Sequence, residues 1–554
     1  MYKKIVPSPL TLKSLIDHSV STFADCNSVS FVEGNPITYK QLGEQIDDFA
    51  SLLFSFGLRK GDKVALFSHN MPNWVVAYFS VVSRGLIIVP ILPDFTSEEV
   101  ENVLTHSESK ILVVSDRLYS KVNKIETPDL IAKICLDDYS IRSNKIENKV
   151  DVKENQEADV KEDDIAAIIY TSGTTGRSKG VVLTHKSVTF VAMQSFTVQP
   201  INHEDVFLSF LPLSHTYENS IGMLYPIMYG SSIYYLDKPP TAPILIAAMG
   251  KIKPTMMLSV PLIMEKIYKN QIYLKFRTSS LKKLAYRTPA TRKFIHHVAG
   301  KKLYKTFGGR LKFFGIGGAK LDFYVERFLK EANFPYAIGY GLTESAPLLA
   351  GAAPHETCLN STGYALEGVE LKIHEPDEFG VGEIWARGPN VMVGYYKNPE
   401  ATEEVLTPDK WFKTGDLGQF DKKKRLFVKG RLKNTIIGAS GENIYPEDIE
   451  SVINNTAYVS ESLVIEEDGY LVAKILLDLE LAEKNIEHIK TMVEEKKEHF
   501  HEWKNQLKKD INSKLGKTSQ INRVDIMEEP FEKTASQKIK RFRYQKAKYN
   551  KIKK

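Results

Sequence analysis

Between Thr171 and Gly180 the chain reads Thr-Ser-Gly-Thr-Thr-Gly-Arg-Ser-Lys-Gly. These residue types can surround a phosphate. Glycine lets the backbone come close, hydroxyls and successive free N–H groups donate to the oxygens, and two cations supply charge. Thr171, Ser172, Gly173, Thr174, Thr175, Gly176, Arg177 and Lys179 are therefore candidate phosphate-binding residues. A Walker A loop would need Gly-Lys-Ser/Thr five residues after its first glycine, with a helix to follow. Here Ser178 stands five residues after Gly173, and the chain continues as the strand-like VVLTH. The apolar IAAIIY precedes the loop, so the sequence predicts a phosphate loop held between two strands and excludes a P-loop NTPase.

Further motifs follow in order. They are Leu211–Glu218 (LPLSHTYE), Phe314–Leu321 (FGIGGAKL), Tyr340–Glu344 (YGLTE), Gly382–Gly388 (GEIWARG), GYYKNPEAT, Thr414–Gly418 (TGDLG), Gly430–Lys433 (GRLK) and Lys533–Arg541 (KTASQKIKR). Together with the phosphate loop, and across roughly residues 35 to 545, they closely resemble the adenylate-forming (AMP-binding) superfamily. That superfamily holds acyl- and aryl-CoA synthetases, peptide-synthetase adenylation domains and beetle luciferases.

The resemblance implies an acyl-CoA synthetase/luciferase-like α/β fold: a large multi-layered N-terminal domain, residues 1–430, and a small mobile α+β domain, 431–554. It implies roles as well. His215 lies by the acyl pocket. Gly317, Gly318 and Ala319 lie against adenine, on which Tyr340 stacks, with Gly341 in the same motif. Thr343 faces the α-phosphate, and Glu344 with Thr171 holds Mg²⁺. Asp416 accepts the ribose hydroxyls, Arg431 contacts the ribose, Lys433 lies at the hinge, and Lys538 is the catalytic lysine. Ser440, Gly441 and Glu442 belong to the surface that lines a CoA channel. Two positions depart from the family pattern. Lys320 replaces a proline, which predicts a looser turn, and Gln537 replaces the glycine before the catalytic lysine.

The implied reaction joins a carboxylic acid to the thiol of CoA at the expense of ATP, through an acyl-adenylate. Glu218 and the spacing from Arg431 to Asn443-Ile444-Tyr445-Pro446 resemble the bacterial-type long-chain fatty acyl-CoA synthetases. Medium-chain or aryl acids, and an acyl-carrier protein as acceptor, are the alternatives.

The elements that must position these groups are legible in outline. Apolar runs of strand length alternate with helical patterns over the first 430 residues, as in α/β layers. Ile37–Gly57 reads as an amphipathic helix closed by glycine. Trp74–Leu92 is apolar but split by Arg84-Gly85 and shortened by Pro90, which predicts a buried helix and a parallel strand rather than a membrane span. The polar stretch 143–164 reads as an exposed linker or surface insertion, and 482–518 as exposed helices.

The chain has 554 residues, 43% hydrophobic and 26% charged, too long for one core and neither disordered nor integral to a membrane. Its net charge is +6, but the ten basic residues from Lys533 onward, free of acids, leave −4 elsewhere. That argues against a nucleic-acid binder and leaves a tail that can meet anionic lipid. Cys26, Cys135 and Cys358 are too few and too dispersed for a disulfide framework or zinc, and read as buried free thiols. The N-terminus lacks the apolar core of a signal peptide. The expected location is the cytoplasm, with peripheral contact at the inner face of the membrane; the oligomeric state is not legible.

Overall fold

The computed structural model describes residues 3–146, 159–171, 178–269, 286, 288–438, 443–454, 456, 459–477, 497–516, 519–534 and 539–545. The first expected helix spans Tyr39–Phe54. The Thr38 hydroxyl accepts from the N–H of Gln41 while the Gln41 side chain accepts from the N–H of Thr38, which satisfies two of the free donors at the helix start. Leu42, Ile46, Phe49 and Leu53 recur at three- and four-residue spacing and are all buried. Gly57, at φ +75°, turns the chain away. The apolar run after it is interior. Every residue from Trp74 to Val82 in the helix Pro72–Val82 is buried, and the strand Ile87–Ile91 pairs in parallel with Lys63–Phe67.

Three sheets make the large N-terminal domain. One has eight strands, in the order Gly394–Tyr395, Lys179–Thr184, Ile165–Thr171, Ile87–Ile91, Lys63–Phe67, Ile111–Val114, Ala132–Cys135, Ile141–Asn144. A second eight-stranded sheet places Val206–Ser209, Met256–Ser259, Phe313–Ile316 and Tyr336–Gly341 side by side, all parallel. The apolar helix Pro72–Val82 and the buried helix His185–Val198 belong to the core shared by the two sheets. The third sheet, four antiparallel strands, includes Gly382–Arg387, Phe412–Phe420 and Leu426–Arg431.

The small C-terminal domain follows a 3-10 turn at Leu432–Asn434. The strands Val459–Glu467, Tyr470–Leu477 and Arg523–Met527 form one sheet, and the helices Pro446–Asn454 and Lys497–Asn512 bury Ile449, Ile453, Leu507 and Ile511 against it. The α/β architecture with a large first and a small second domain is thus as expected.

Some expectations need correction. Ser143 and Asn144 are not linker: they finish the edge strand Ile141–Asn144, paired with Lys133 and Ala132. At its other end Val160 is buried and Asp164 pairs with Lys60 at 2.6 Å. All three thiols are free, but only Cys135 is buried, its Sγ donating to Asp116; Cys26 and Cys358 are half-buried. Of the stretch 482–518, the apolar positions Ile486, Ile489, Met492 and Val493 lie outside the described residues. The described helix there is not wholly exposed, since it buries Leu507 and Ile511. Among the described residues no helix is long and apolar enough to cross a membrane.

Candidate active site

The phosphate-loop strands form an antiparallel hairpin in which Tyr170 faces Gly180 and Thr171 faces Lys179. Ser172, Gly173, Thr174, Thr175, Gly176 and Arg177 lie outside the described residues, but the register fixes both ends of their loop. Gly180 is required by packing: a Cβ there would lie 2.9 Å from the Ile168 side chain and 3.2 Å from the Tyr170 ring. The Lys179 ammonium sits 4.7 Å from the centroid of the Tyr395 ring, a cation–π contact. Tyr395 then donates its hydroxyl to Glu344 Oε1 at 2.9 Å. Burial first, and then the neighbouring Glu344 carboxylate, hold this phenol well above its ordinary pKa. Strand Gly394–Tyr395 pairs with Val182 and Val181, and Met392 N–H donates to the Glu344 carbonyl, so the connecting motif is stitched to both the loop hairpin and the YGLTE turn. Tyr395 was not singled out from the sequence, although it stands inside the motif GYYKNPEAT.

Thr343 and Glu344 occupy the 3-10 turn that follows the strand Tyr336–Gly341. Gly341 permits that exit, because a Cβ would fall 1.7 Å from the Pro347 carbonyl oxygen. A carboxylate and a threonine hydroxyl are hard oxygen donors, the chemistry Mg²⁺ requires. Glu344 and, across the hairpin from Lys179, Thr171 therefore fit that cation.

Tyr340 and Asp416 meet directly. The Tyr340 hydroxyl donates to Asp416 Oδ2 at 2.9 Å, and Arg431 Nε lies 2.9 Å from Asp416 Oδ1. Asp416 faces Arg431 across adjacent antiparallel strands, and its side chain is buried. Two donors thus orient the carboxylate to which the resemblance gives a ribose-binding role. Gly317 is buried beneath the Tyr217 ring, where a Cβ would approach to 3.0 Å, while Gly318 and Ala319 are exposed. Lys320 has a partner of its own: its ammonium pairs with Asp448 of the small domain. Beside it, Ser451 Oγ donates to Asp322 at 2.9 Å. The departure from proline therefore installs a contact between domains rather than simply loosening a turn. Lys433 is exposed in the turn Leu432–Asn434. Asn434 of that turn donates to Glu447 on the first small-domain helix at 2.7 Å. Ser440, Gly441, Glu442 and Lys538 lie outside the described residues, so they are not placed against the rest of the site.

His215 accepts from the N–H of Tyr217 at its Nδ1, at 3.2 Å. Tyr217 itself faces a cavity lined almost entirely by apolar atoms and walled by Ile221, Leu258, Gly315, Gly339 and Leu348.

Glu218 is buried behind this wall, with one oxygen lacking a hydrogen-bond partner. Burial pushes its carboxyl up to about 8, against a single opposing hydrogen bond from Ser209. A Cβ at Gly222, one turn on, would lie 2.5 Å from Glu218 Oε1, so glycine makes the room this carboxyl occupies. The linkage sign follows. Below the ordinary carboxyl range both folded and unfolded chains are protonated. From there up to about pH 8 only the unfolded chain ionises, so stability falls as pH rises through that window. Glu218→Gln removes the dependence. Its melting temperature should gain on that of the parent by about 2–4 °C between pH 5 and pH 8. Parallel melting profiles would show that Glu218 is not held neutral.

The fold and this site define an adenylate-forming enzyme architecture. Residues 16–396 match the family model described as AMP-binding enzyme, and the chain belongs to that family. Two relatives are each 29% identical. One is Long chain acyl-CoA synthetase 1 of Arabidopsis thaliana, over 89% of this chain and 83% of the relative. The other is 4-coumarate–CoA ligase 1 of Petroselinum crispum, over 83% of this chain and 82% of the relative. Among solved structures, O-succinylbenzoate coenzyme A synthetase from Bacillus subtilis in complex with AMP superposes with a TM-score of 0.75. That similarity spans 97% of this chain and 99% of the other at 22% identity, and is one of fold.

Proposed function

We propose that this chain is an acid–thiol ligase that activates a long-chain fatty acid with ATP through an acyl-adenylate, then passes the acyl group to CoA. One observation carries the reading. The strands Phe313–Ile316 and Tyr336–Gly341 wall the apolar cavity with Gly315 and Gly339, and at their ends deliver Gly317–Ala319 and Tyr340–Glu344. An acid whose tail fills the cavity would present its carboxylate where those two strands end, beside the nucleotide residues.

The chemistry asked of the side chains follows. A carboxylate approaching an α-phosphate meets like charge, and two unit charges about 4 Å apart at an effective dielectric near 20 repel by about 4 kcal/mol. Lys538, Arg177 and Lys179 offset that repulsion, with Thr171 to Gly176 donating to the phosphate oxygens. Glu344 and Thr171 would hold Mg²⁺, which supplies Lewis acidity at phosphate oxygens when bound. Asp416 and Arg431 hold the ribose, and Gly317, Gly318, Ala319 and Tyr340 bound the adenine. His215 orients the wall at the carboxylate end. We place the domain boundary at residues 430–431 and the pivot at Lys433. Rotation there would withdraw Lys538 and bring Ser440, Gly441 and Glu442 to a pantetheine channel.

The long-chain assignment rests on the apolar cavity and on the long-chain relative; a relative of equal identity is named for an aryl acid. Carboxylate-dependent ATP–pyrophosphate exchange over a panel of saturated and aryl acids decides between them. Run with CoA, with an acyl-carrier protein and with neither, it also identifies the acceptor. Each buried methylene contributes about 0.8 kcal/mol, so kcat/KM should rise roughly fourfold per carbon beyond eight until the cavity is full. A maximum at or below six carbons, or on an aryl acid, would defeat the long-chain assignment.

A further inference from the structure

From Lys266 to Leu321 the sequence holds fifteen Lys and Arg and not one Asp or Glu. Whole-chain net charge conceals this run as thoroughly as it conceals the basic terminus. Within it, the helix Pro289–Thr306 is the longest described element. Its inner face is pinned down. Arg292 donates to Glu331 at 2.8 Å, fully buried His296 lies 2.7 Å from the same carboxylate, and a Cβ at Gly300 would strike Ala332 at 2.6 Å.

The outer face is of another kind. Phe294 is 69% exposed and Val298, one turn later, 52%. At about 100° per residue, Lys301, Lys302 and Lys305 continue the same stripe, and all three are exposed. None of them forms an ion pair with a described residue. The neighbouring helix Ala242–Ile252 adds Ile246, 51% exposed. Two large apolar side chains left in water beside unneutralised lysines do nothing for this fold, and their order along one stripe suits an interface that is apolar below and anionic above.

We propose that the outward face of Pro289–Thr306 docks on an anionic lipid surface, with Phe294 and Val298 entering the headgroup boundary and Lys301, Lys302 and Lys305 meeting the lipid phosphates. Apolar burial combined with attraction to anionic headgroups is the physics of an interfacial helix. Charge complementarity selects the occupant. A nucleic acid would offer the same phosphates but no apolar layer for Phe294. In sequence this stripe stands more than 200 residues before the basic run that begins at Lys533.

Sedimentation of the full chain with vesicles tests this. One set is phosphatidylcholine; the other contains about one-third phosphatidylglycerol. Binding to the second set should be at least about tenfold tighter and should fall with added salt. K301E/K302E/K305E should lower that affinity at least about tenfold, and F294S/V298S several-fold. All five positions are exposed, so melting temperature and ATP–pyrophosphate exchange on a soluble acid should stay as in the parent. The same triple reversal at another exposed turn, K422E/K423E/K424E, serves as the charge control. Equal loss in the control, no loss in the helix variants, or loss only on truncation after Lys548 would each overturn the proposal. Heparin or duplex DNA bound as tightly as the vesicles, with F294S/V298S indifferent, would overturn it in favour of a nucleic-acid surface.

Discussion

Lys538→Ala should slow acyl-adenylate formation by about 10²–10³, the usual cost of removing one preorganised electrostatic donor. Thioester formation from preformed acyl-adenylate should change far less. The structure ties down the described residues on either side of it. An antiparallel bridge between Lys533 and Ile539 closes the segment on either side of it. Lys533 pairs with Glu461, and Arg541 with Glu450, both carboxylates belonging to the small domain. The base of the loop is thus tied to the element that moves as a body in the proposed cycle, so the lysine would travel with it. Rapid-quench measurement of the two half-reactions is the check; equal loss in both would sink the proposed separation of roles.

Asp416→Ala should raise the KM for ATP by roughly ten- to a hundredfold, from the loss of charge-assisted hydrogen bonds worth about 1.5–3 kcal/mol. A second effect follows from the geometry. The same carboxylate accepts from Tyr340 and pairs with Arg431, so alanine leaves a buried hydroxyl and a cation without their partner. Asp416→Asn keeps an acceptor for Tyr340 while losing the charge. It should recover stability more than nucleotide affinity. Asn restoring both alike would mean that Asp416 only supports the fold and does not touch ribose.

The parts legible in the sequence were those encoded locally. The strand–loop–strand around Thr171–Gly180, the buried helix and strand within Trp74–Leu92, and the Thr38-capped helix each depend on a contiguous pattern of burial or on turn chemistry. Interactions made across long separations were not legible. Tyr395 reaches Glu344 only because a two-residue strand pairs with Val181 and Val182, and that register is a property of the assembled sheet. Lys320 looked like a defect in a turn because its partner, Asp448, is 128 residues away in another domain. The cavity is walled from several strands and helices at once, and no window of sequence contains it. The fifteen-cation run escaped because net charge was averaged over too much chain.

The Lys320–Asp448 pair gives the domain contact a particular softness. Its two side chains are 36% and 47% exposed, where water and salt screen the attraction, so it contributes at most about 1 kcal/mol. A clasp of that strength is comparable with thermal energy, and ionic strength acts as its dial. If the small domain rotates as proposed, the pair would favour the arrangement described here at low salt and give way more readily near physiological salt. Turnover should therefore carry an electrolyte dependence whose origin lies neither in ATP nor in the acid. Lys320→Pro, which restores the family's residue at that turn, should flatten it.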